Sequence, residues 1–72
     1  MKPGDLVRLR EGVRFASASR LDYEHCARHA FHLSNADIGV VIKPYGSYVE
    51  VLMRGQVVIV SHSVIGVIDA VR

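Results

Sequence analysis

The chain is poor in cysteine, proline, tryptophan and charge: its 72 residues include one Cys, two Pro and no Trp, and 22% are charged. The single thiol, Cys26, cannot form an internal disulfide, which predicts a reducing compartment. Sparse charge beside 50% hydrophobic residues excludes an intrinsically disordered chain, because disordered chains are charge-rich and apolar-poor. The length allows one domain over residues 1–72 and excludes dinucleotide-binding folds and barrel enzymes.

Long apolar runs and a leader segment are missing as well. No run approaches the roughly 18 apolar residues of a membrane helix, and the chain does not open on the basic and apolar segments of a signal peptide. The six glycines are scattered, so no glycine-rich phosphate loop is present. We expect a cytoplasmic protein with no membrane partner, no small-molecule substrate and no cofactor.

Short alternating or β-branched segments predict five strands. They cover about residues 6–10, 38–43, 48–53, 56–61 and 64–69. Arg54-Gly55 predicts a tight hairpin turn between the third and fourth segments. Pro44-Tyr45-Gly46-Ser47 predicts the turn before the third. These segments make the chain mainly β.

The middle of the chain has a different periodicity. At about 100° per residue, apolar side chains collect on one arc and polar ones on the other, which predicts an amphipathic helix over about residues 20–33. Ser19 and Asp22 fit a capping box at its start. The apolar arc holds Tyr23, Cys26, Ala27, Ala30, Phe31 and Leu33. Cys26 is therefore expected in the core, where a thiol is inert.

Three histidines, His25, His29 and His32, fall on one face of the predicted helix. They admit three interpretations: exposed or interface side chains, a pH-sensitive contact, and a metal site. Zinc needs three protein ligands at a catalytic site and four at a structural one, and Cys26 lies on the opposite arc. We therefore predict no metal site. No nucleophile has a base and an orienting group beside it, so we also predict no enzyme.

The order of these segments resembles an SH3-like small β-barrel, beginning with the first strand Gly4-Asp5-Leu6-Val7-Arg8-Leu9. One strand, a long excursion, three strands joined by tight turns and a last strand follow one another as in that fold. The resemblance implies a mainly β, five-stranded SH3-like barrel with an α-helix inserted in its long first (RT-type) loop.

A narrower resemblance is to uncharacterised SH3-like barrel proteins encoded in bacteriophage genomes. Residues 2–7, 38–41 and 51–57 carry it. It implies a non-enzymatic protein-interaction or assembly module, most concretely a virion structural protein such as a decoration, adaptor or tail part, located in the cytoplasm or assembled into a virion. A weaker similarity of residues 4–12 to the start of a KOW module implies the alternative, a nucleic-acid-binding small barrel.

The formal net charge of +2 comes from the N-terminal half of the chain. Arg8, Arg10 and Arg14, together with Tyr45 as a stacking platform, are the candidate nucleic-acid contacts under that alternative. Exposed arginines on an edge strand also protect a sheet against aggregation. Both interpretations stay open at the level of sequence.

Apolar residues outnumber the places inside a small barrel, because one inward-facing set fills it. The predicted inward set is Val7, Leu9, Ile38, Val40, Ile42, Val49, Val51, Met53, Val58, Val60, Ile65 and Val67. The candidate protein-interface residues of the opposite set are Leu52, Val57, Ile59 and Ile68. The predicted helix, another copy of the chain or a different protein would cover them.

Overall fold

The computed structural model describes residues 1–21, 24 and 26–68, and the regular elements within them are all β-strands. The strands are β1 (Leu6–Leu9), β2 (Ser17–Leu21), β3 (Ala27–His32), β4 (Ile38–Tyr45), β5 (Tyr48–Met53), β6 (Gln56–Ser61) and β7 (Ile65–Val67). They form one antiparallel sheet in the order β3-β2-β6-β5-β4-β1-β7. Because β3 and β7 end this order, the sheet is open.

The prediction of a five-stranded SH3-like barrel with an inserted helix is wrong. Five of the seven strands, β1 and β4 to β7, lie where the sequence predicted strands, and the bounds of β5 and β6 agree with it. The other two, β2 and β3, form a hairpin within the segment assigned to the loop and its helix. This hairpin joins the sheet beside β6 and extends it, instead of closing a barrel.

β2 escaped prediction because its side chains are small. Ala16 and Ala18 face the core and are 8% and 0% exposed, whereas Ser17 faces away. Alanine is depleted in strands, so its presence here weakens the local β preference. The signal that remains is the alternation of small apolar and small polar residues.

β3 contains a bulge that imitates helical spacing. Ser17 pairs with His32 and Ser19 pairs with His29, so three residues of β2 oppose four of β3, and Ala30 is the extra residue. A bulge resets the alternation of a strand. Residues three apart then share a face, as they do in an α-helix.

The helix predicted over residues 20–33 is therefore wrong. Ser19, its expected cap, lies inside β2. Phe31 and Leu33 are two residues apart and are both buried, at 9% and 6% exposed, as strand alternation requires. Asp22 and Tyr23, which also contributed to the helical pattern, lie outside the described residues.

Two tight turns shape the meander of β4, β5 and β6. Arg54 and Gly55 join β5 to β6 with φ values of 53° and 72°, as a type I′ hairpin turn requires. Gly46, at φ 61°, follows β4, where Tyr45 lies opposite Tyr48. The predicted Arg54-Gly55 turn is confirmed. The other predicted turn is confined to Gly46 and Ser47, because Pro44 and Tyr45 belong to β4 and pair with β5.

The inner face of the sheet carries the core. Its buried residues, none more than 9% exposed, are Val7, Leu9, Ala16, Ala18, Phe31, Leu33, Val41, Val49, Val51, Met53, Val58, Val60 and Ile65. Eight of the twelve residues predicted to point inward belong to this cluster. Period-two alternation along their strands places these eight on one face of the sheet.

Four residues of the predicted inward set are exposed. They are Ile38 (55%), Val40 (38%), Ile42 (37%) and Val67 (45%). The phase of β4 explains the first two. Gly39 lies opposite the buried Val7 and Val41 takes the next inner position, so Ile38 and Val40 face outward. Ile42 is the extra residue of a bulge, because Val41 pairs with Val51 and Lys43 with Glu50, and a bulge interrupts the alternation. Val67 belongs to the edge strand β7, which has no strand on its other side.

Gly39 occupies an inner position because little room remains for a side chain. A Cβ atom there would lie 2.9 Å from Cε of Met53 and 3.1 Å from the backbone oxygen of Leu52. The flexible Met53 side chain fills the space instead. Because a glycine holds the inner position, the apolar residues on either side of it, Ile38 and Val40, were predicted to face inward.

An ion pair joins the β3–β4 loop to the β5–β6 turn. Nε and Nη2 of Arg54 donate to the two carboxylate oxygens of Asp37 at 2.8 and 2.9 Å. The Arg54 guanidinium also lies 4.3 Å from the ring centroid of Phe31, within cation–π range. Hydrogen bonding from Arg54, supported by the Ser34 amide, holds the pKa of Asp37 below its ordinary value of 3.8.

Candidate functional site

Four apolar side chains form a row across the outer face of the sheet. Leu6 of β1 lies opposite Val40 of β4. Leu52 of β5 lies opposite Val40 on one side and opposite Val57 of β6 on the other. Directly opposed side chains on one face contact each other. They are nevertheless 38% to 51% exposed, because nothing in the described residues packs over them.

Two isoleucines widen this row along β4. Ile38 and Ile42 lie two residues before and after Val40, and they are 55% and 37% exposed. We call the six residues the outer apolar face: Leu6, Ile38, Val40, Ile42, Leu52 and Val57. Beyond it, Lys43 and Glu50 oppose each other in the ladder and mark its polar border. A continuous apolar patch of this kind on a small protein is characteristic of a binding surface.

A cavity of about 450 Å³ adjoins one end of the outer apolar face. It lies where β2 crosses β6, and Val57 belongs to both the cavity and the face. Its lining residues are Arg20, Leu21, Glu50, Gly55, Gln56, Val57, Val58 and Ile59. The cavity is large enough for a partner's side chain to enter from the row, which is how the central residues of protein interfaces are commonly seated.

The predicted interface residues divide between exposed and covered positions. Leu52 and Val57 belong to the outer apolar face, at 45% and 51% exposed. Ile59 is 7% exposed and reaches the surface as part of the cavity wall. Ile68 is partly buried, and its amide donates to the backbone oxygen of Leu6 at 2.8 Å. Leu52 and Val57 are thus the two that a partner reaches directly.

The candidate nucleic-acid residues do not form one cluster. Arg8 and Arg14 line the same cavity, of about 480 Å³, beside the β1–β2 loop, and Arg10 is exposed in that loop. Tyr45, 39% exposed, lies at the far end of β4 from Ile38, the residue opposite Arg8. Seven residues at about 3.3 Å each separate Tyr45 from that position, so it is too distant to act with the arginines.

Phe15 is the functional candidate that sequence reasoning missed. It is 87% exposed, beside Arg14 in the loop that leads into β2. Phenylalanine is normally among the more buried residues. The available signal was its position in a segment without hydrophobic periodicity, between an arginine and the small residues of β2.

Two of the three histidines share a face, as predicted, but a bulged strand places them there and not a helix. His29 and His32 share a face because of the bulge in β3, and their ring centroids lie 4.7 Å apart. Nδ1 of His32 is 3.4 Å from Oγ of Ser17. His25 lies outside the described residues. Cys26 is exposed, so the expectation of a core thiol is wrong.

Neither a metal cluster nor a membrane-spanning helix occurs in the part of the chain that the structure describes. No three His, Cys, Asp or Glu side chains there lie close enough to hold one ion. None of its elements is a helix long and apolar enough to cross a bilayer.

Comparison with protein-family models, with curated proteins and with solved structures finds no match to this chain. Its candidate function is therefore inferred from the surfaces of the chain itself.

Proposed function

We propose that the chain is a non-enzymatic protein-interaction module whose outer apolar face binds a second copy of the same chain. The observation that carries the proposal is the row of Leu6, Val40, Leu52 and Val57, which are opposed in register across four strands and half-exposed.

The hydrophobic effect supplies the driving force. Burying apolar surface stabilises an association by about 25 cal/mol per Å². A standard interface covers about 800 Å² on each partner, which is about one sixth of the 5069 Å² surface of this chain. An outer face that spans four of the seven strands offers a surface on that scale.

The charge pattern favours a second copy as the occupant. The six residues of the outer apolar face carry no charge. Lys43 and Glu50 at one border have opposite signs, and Arg8 lies opposite Ile38 at another. An uncharged apolar patch is matched by a second copy, since a two-fold contact places the same patch on both partners. Two sheets stacked at about 10 Å through their apolar faces make a β-sandwich.

A role in a larger assembly is consistent with this proposal. The virion component that the sequence resemblance predicts would use its apolar face for contacts between subunits. That role stays a prediction, and self-association is its first requirement.

Analytical ultracentrifugation over a concentration series tests the proposal. We expect the wild type to sediment as a monomer–dimer equilibrium and Leu52→Glu to be monomeric, because the substitution places a charge in the middle of the row. Raising the salt concentration should leave the wild-type dimer intact, since apolar contacts are not screened.

Val67→Glu is the matched control. Val67 has the same 45% exposure as Leu52, but it lies on the inner side of the edge strand β7, so this variant should still dimerise. Circular dichroism establishes that both variants are folded. A wild type that is monomeric at every concentration, or a folded Leu52→Glu variant that dimerises like the wild type, would refute the proposal.

A further inference from the structure

A second surface lies at the end of the sheet where β1 leads into the β1–β2 loop. The cavity of about 480 Å³ there is lined by Arg8, Leu9, Glu11, Gly12, Val13, Arg14 and Asn35. Two arginines from different segments therefore face one concavity. An arginine fork matches the geometry of a phosphate group, so the cavity has the chemistry of an anion site.

The loop that forms the cavity has a defined shape. The amide of Val13 donates to the backbone oxygen of Arg10 at 3.1 Å, and the amide of Arg10 donates to the oxygen of Val64 at 2.8 Å. Gly12 has a φ of 89°, a left-handed conformation that other residues rarely adopt. This turn precedes Arg14, which lines the same cavity as Arg8.

The net charge of the whole chain is concentrated at this place. Residues 8–15 contain three arginines and one glutamate, and the rest of the chain contains six basic and six acidic residues. The excess of +2 therefore belongs to the loop and the strand before it. The local excess of positive charge attracts an anionic ligand to this end of the sheet.

Phe15 adds an apolar component to the basic site. Its ring is 87% exposed and follows directly after Arg14. Surfaces that bind single-stranded nucleic acid combine arginines for the phosphates with exposed aromatic rings on which bases stack.

We infer that this cavity and Phe15 bind single-stranded nucleic acid, with Arg8 and Arg14 on backbone phosphates and the Phe15 ring stacked on a base. The site borders the outer apolar face, because Arg8 lies opposite Ile38 in the ladder. Each copy in a dimer would present one such site.

Fluorescence anisotropy of a labelled oligo(dT) strand tests this inference through its salt dependence. Two phosphate contacts to a single strand give a slope of about −1.4 for the logarithm of affinity against the logarithm of salt concentration. Arg14→Gln should reduce the slope to about −0.7. Phe15→Ala should weaken binding about fivefold or more at constant slope, and Phe15→Trp should restore it.

Arg20→Gln is the matched control, because Arg20 is exposed and lines other cavities. It should bind like the wild type. A labelled poly-glutamate chain tests simple charge attraction and should bind more weakly than oligo(dT), with no effect of Phe15→Ala. The inference is overturned if no binding occurs at low salt, if Arg20→Gln and Arg14→Gln have equal effects, or if poly-glutamate binds as well as the oligonucleotide.

Discussion

The two faces of the sheet are made from the same kinds of residue but have opposite environments. Leu52 and Met53 are neighbours in β5, and they are 45% and 1% exposed. Nothing in the composition of the strand separates them, because both are large and apolar. The difference is that the inner face packs on itself, whereas the chain covers Ile59 on the outer face and leaves Leu52 and Val57 half-exposed. An apolar strand sequence thus does not by itself specify which of its faces the chain buries.

The largest expected effect on the free energy of unfolding comes from truncating one side chain on each face of the sheet. Met53→Ala should lower the free energy of unfolding by about 2–5 kcal/mol, because it leaves a cavity in the core. Leu52→Ala should lower it by less than about 1 kcal/mol, since Leu52 packs on one side only. Urea unfolding, at a protein concentration low enough to keep the chain monomeric, measures both. Equal losses would contradict the distinction between the faces.

A smaller effect on the free energy of unfolding is expected from adding a side chain at Gly39, the inward-facing glycine of β4. Gly39→Ala should destabilise the chain by about 1–3 kcal/mol, because the new Cβ meets Met53 and the Leu52 oxygen. Gly66→Ala is the control. No atom lies within 4 Å of a Cβ at Gly66 and its φ is not positive, so alanine should be neutral or stabilise by up to about 1 kcal/mol. An unchanged free energy of unfolding in Gly39→Ala would contradict this prediction, because it would mean that Met53 and the β5 backbone shift to admit the new Cβ without loss of stability.

The smallest effect concerns acid pH and the Asp37–Arg54 ion pair. Because the folded-state pKa of Asp37 is lowered, the pair contributes stability that is fully present above the unfolded-state pKa of about 3.9. That contribution is lost as the pH falls through the folded-state pKa. Arg54→Gln should therefore unfold at a lower temperature than the wild type at neutral pH, and the difference should shrink below about pH 4.

Thermal unfolding followed by circular dichroism at a series of pH values measures this effect. Gln56→Ala, next to the same turn, is a control without an ion pair and should keep a constant offset from the wild type. A difference between Arg54→Gln and the wild type that stays constant down to the lowest pH would show that the pair is not coupled to folding.

The sequence was sufficient for the β-meander and insufficient for the β2–β3 hairpin, for physical reasons. β5 and β6 are rich in β-branched residues and the Arg54-Gly55 turn fixes their register, so strand and turn signals agree. In the hairpin, β2 begins with the small residues Ser17, Ala18 and Ser19. The bulge at Ala30 then gives β3 the same-face spacing of a helix.

The sites were predicted in part for the same reason. Leu52 and Val57 were identified because period-two alternation places them on the other face of the sheet from the core residues of their own strands. Val40 was assigned to the wrong face because the inner position of this part of β4 is held by Gly39, which has no apolar side chain to mark it. Phe15 has no periodic context, so its exposure depends on the tertiary fold.

The edges of the open sheet determine what kind of aggregate the chain can form. β7 has three residues, and β3 contains a bulge and presents Arg28, His29 and His32 as exposed side chains. Short, bulged or charged edges resist the strand-by-strand addition that produces fibrils. With edge growth disfavoured, the proposed two-fold contact between sheet faces would close on itself. We expect concentrated solutions of this protein to contain discrete particles and not to gel.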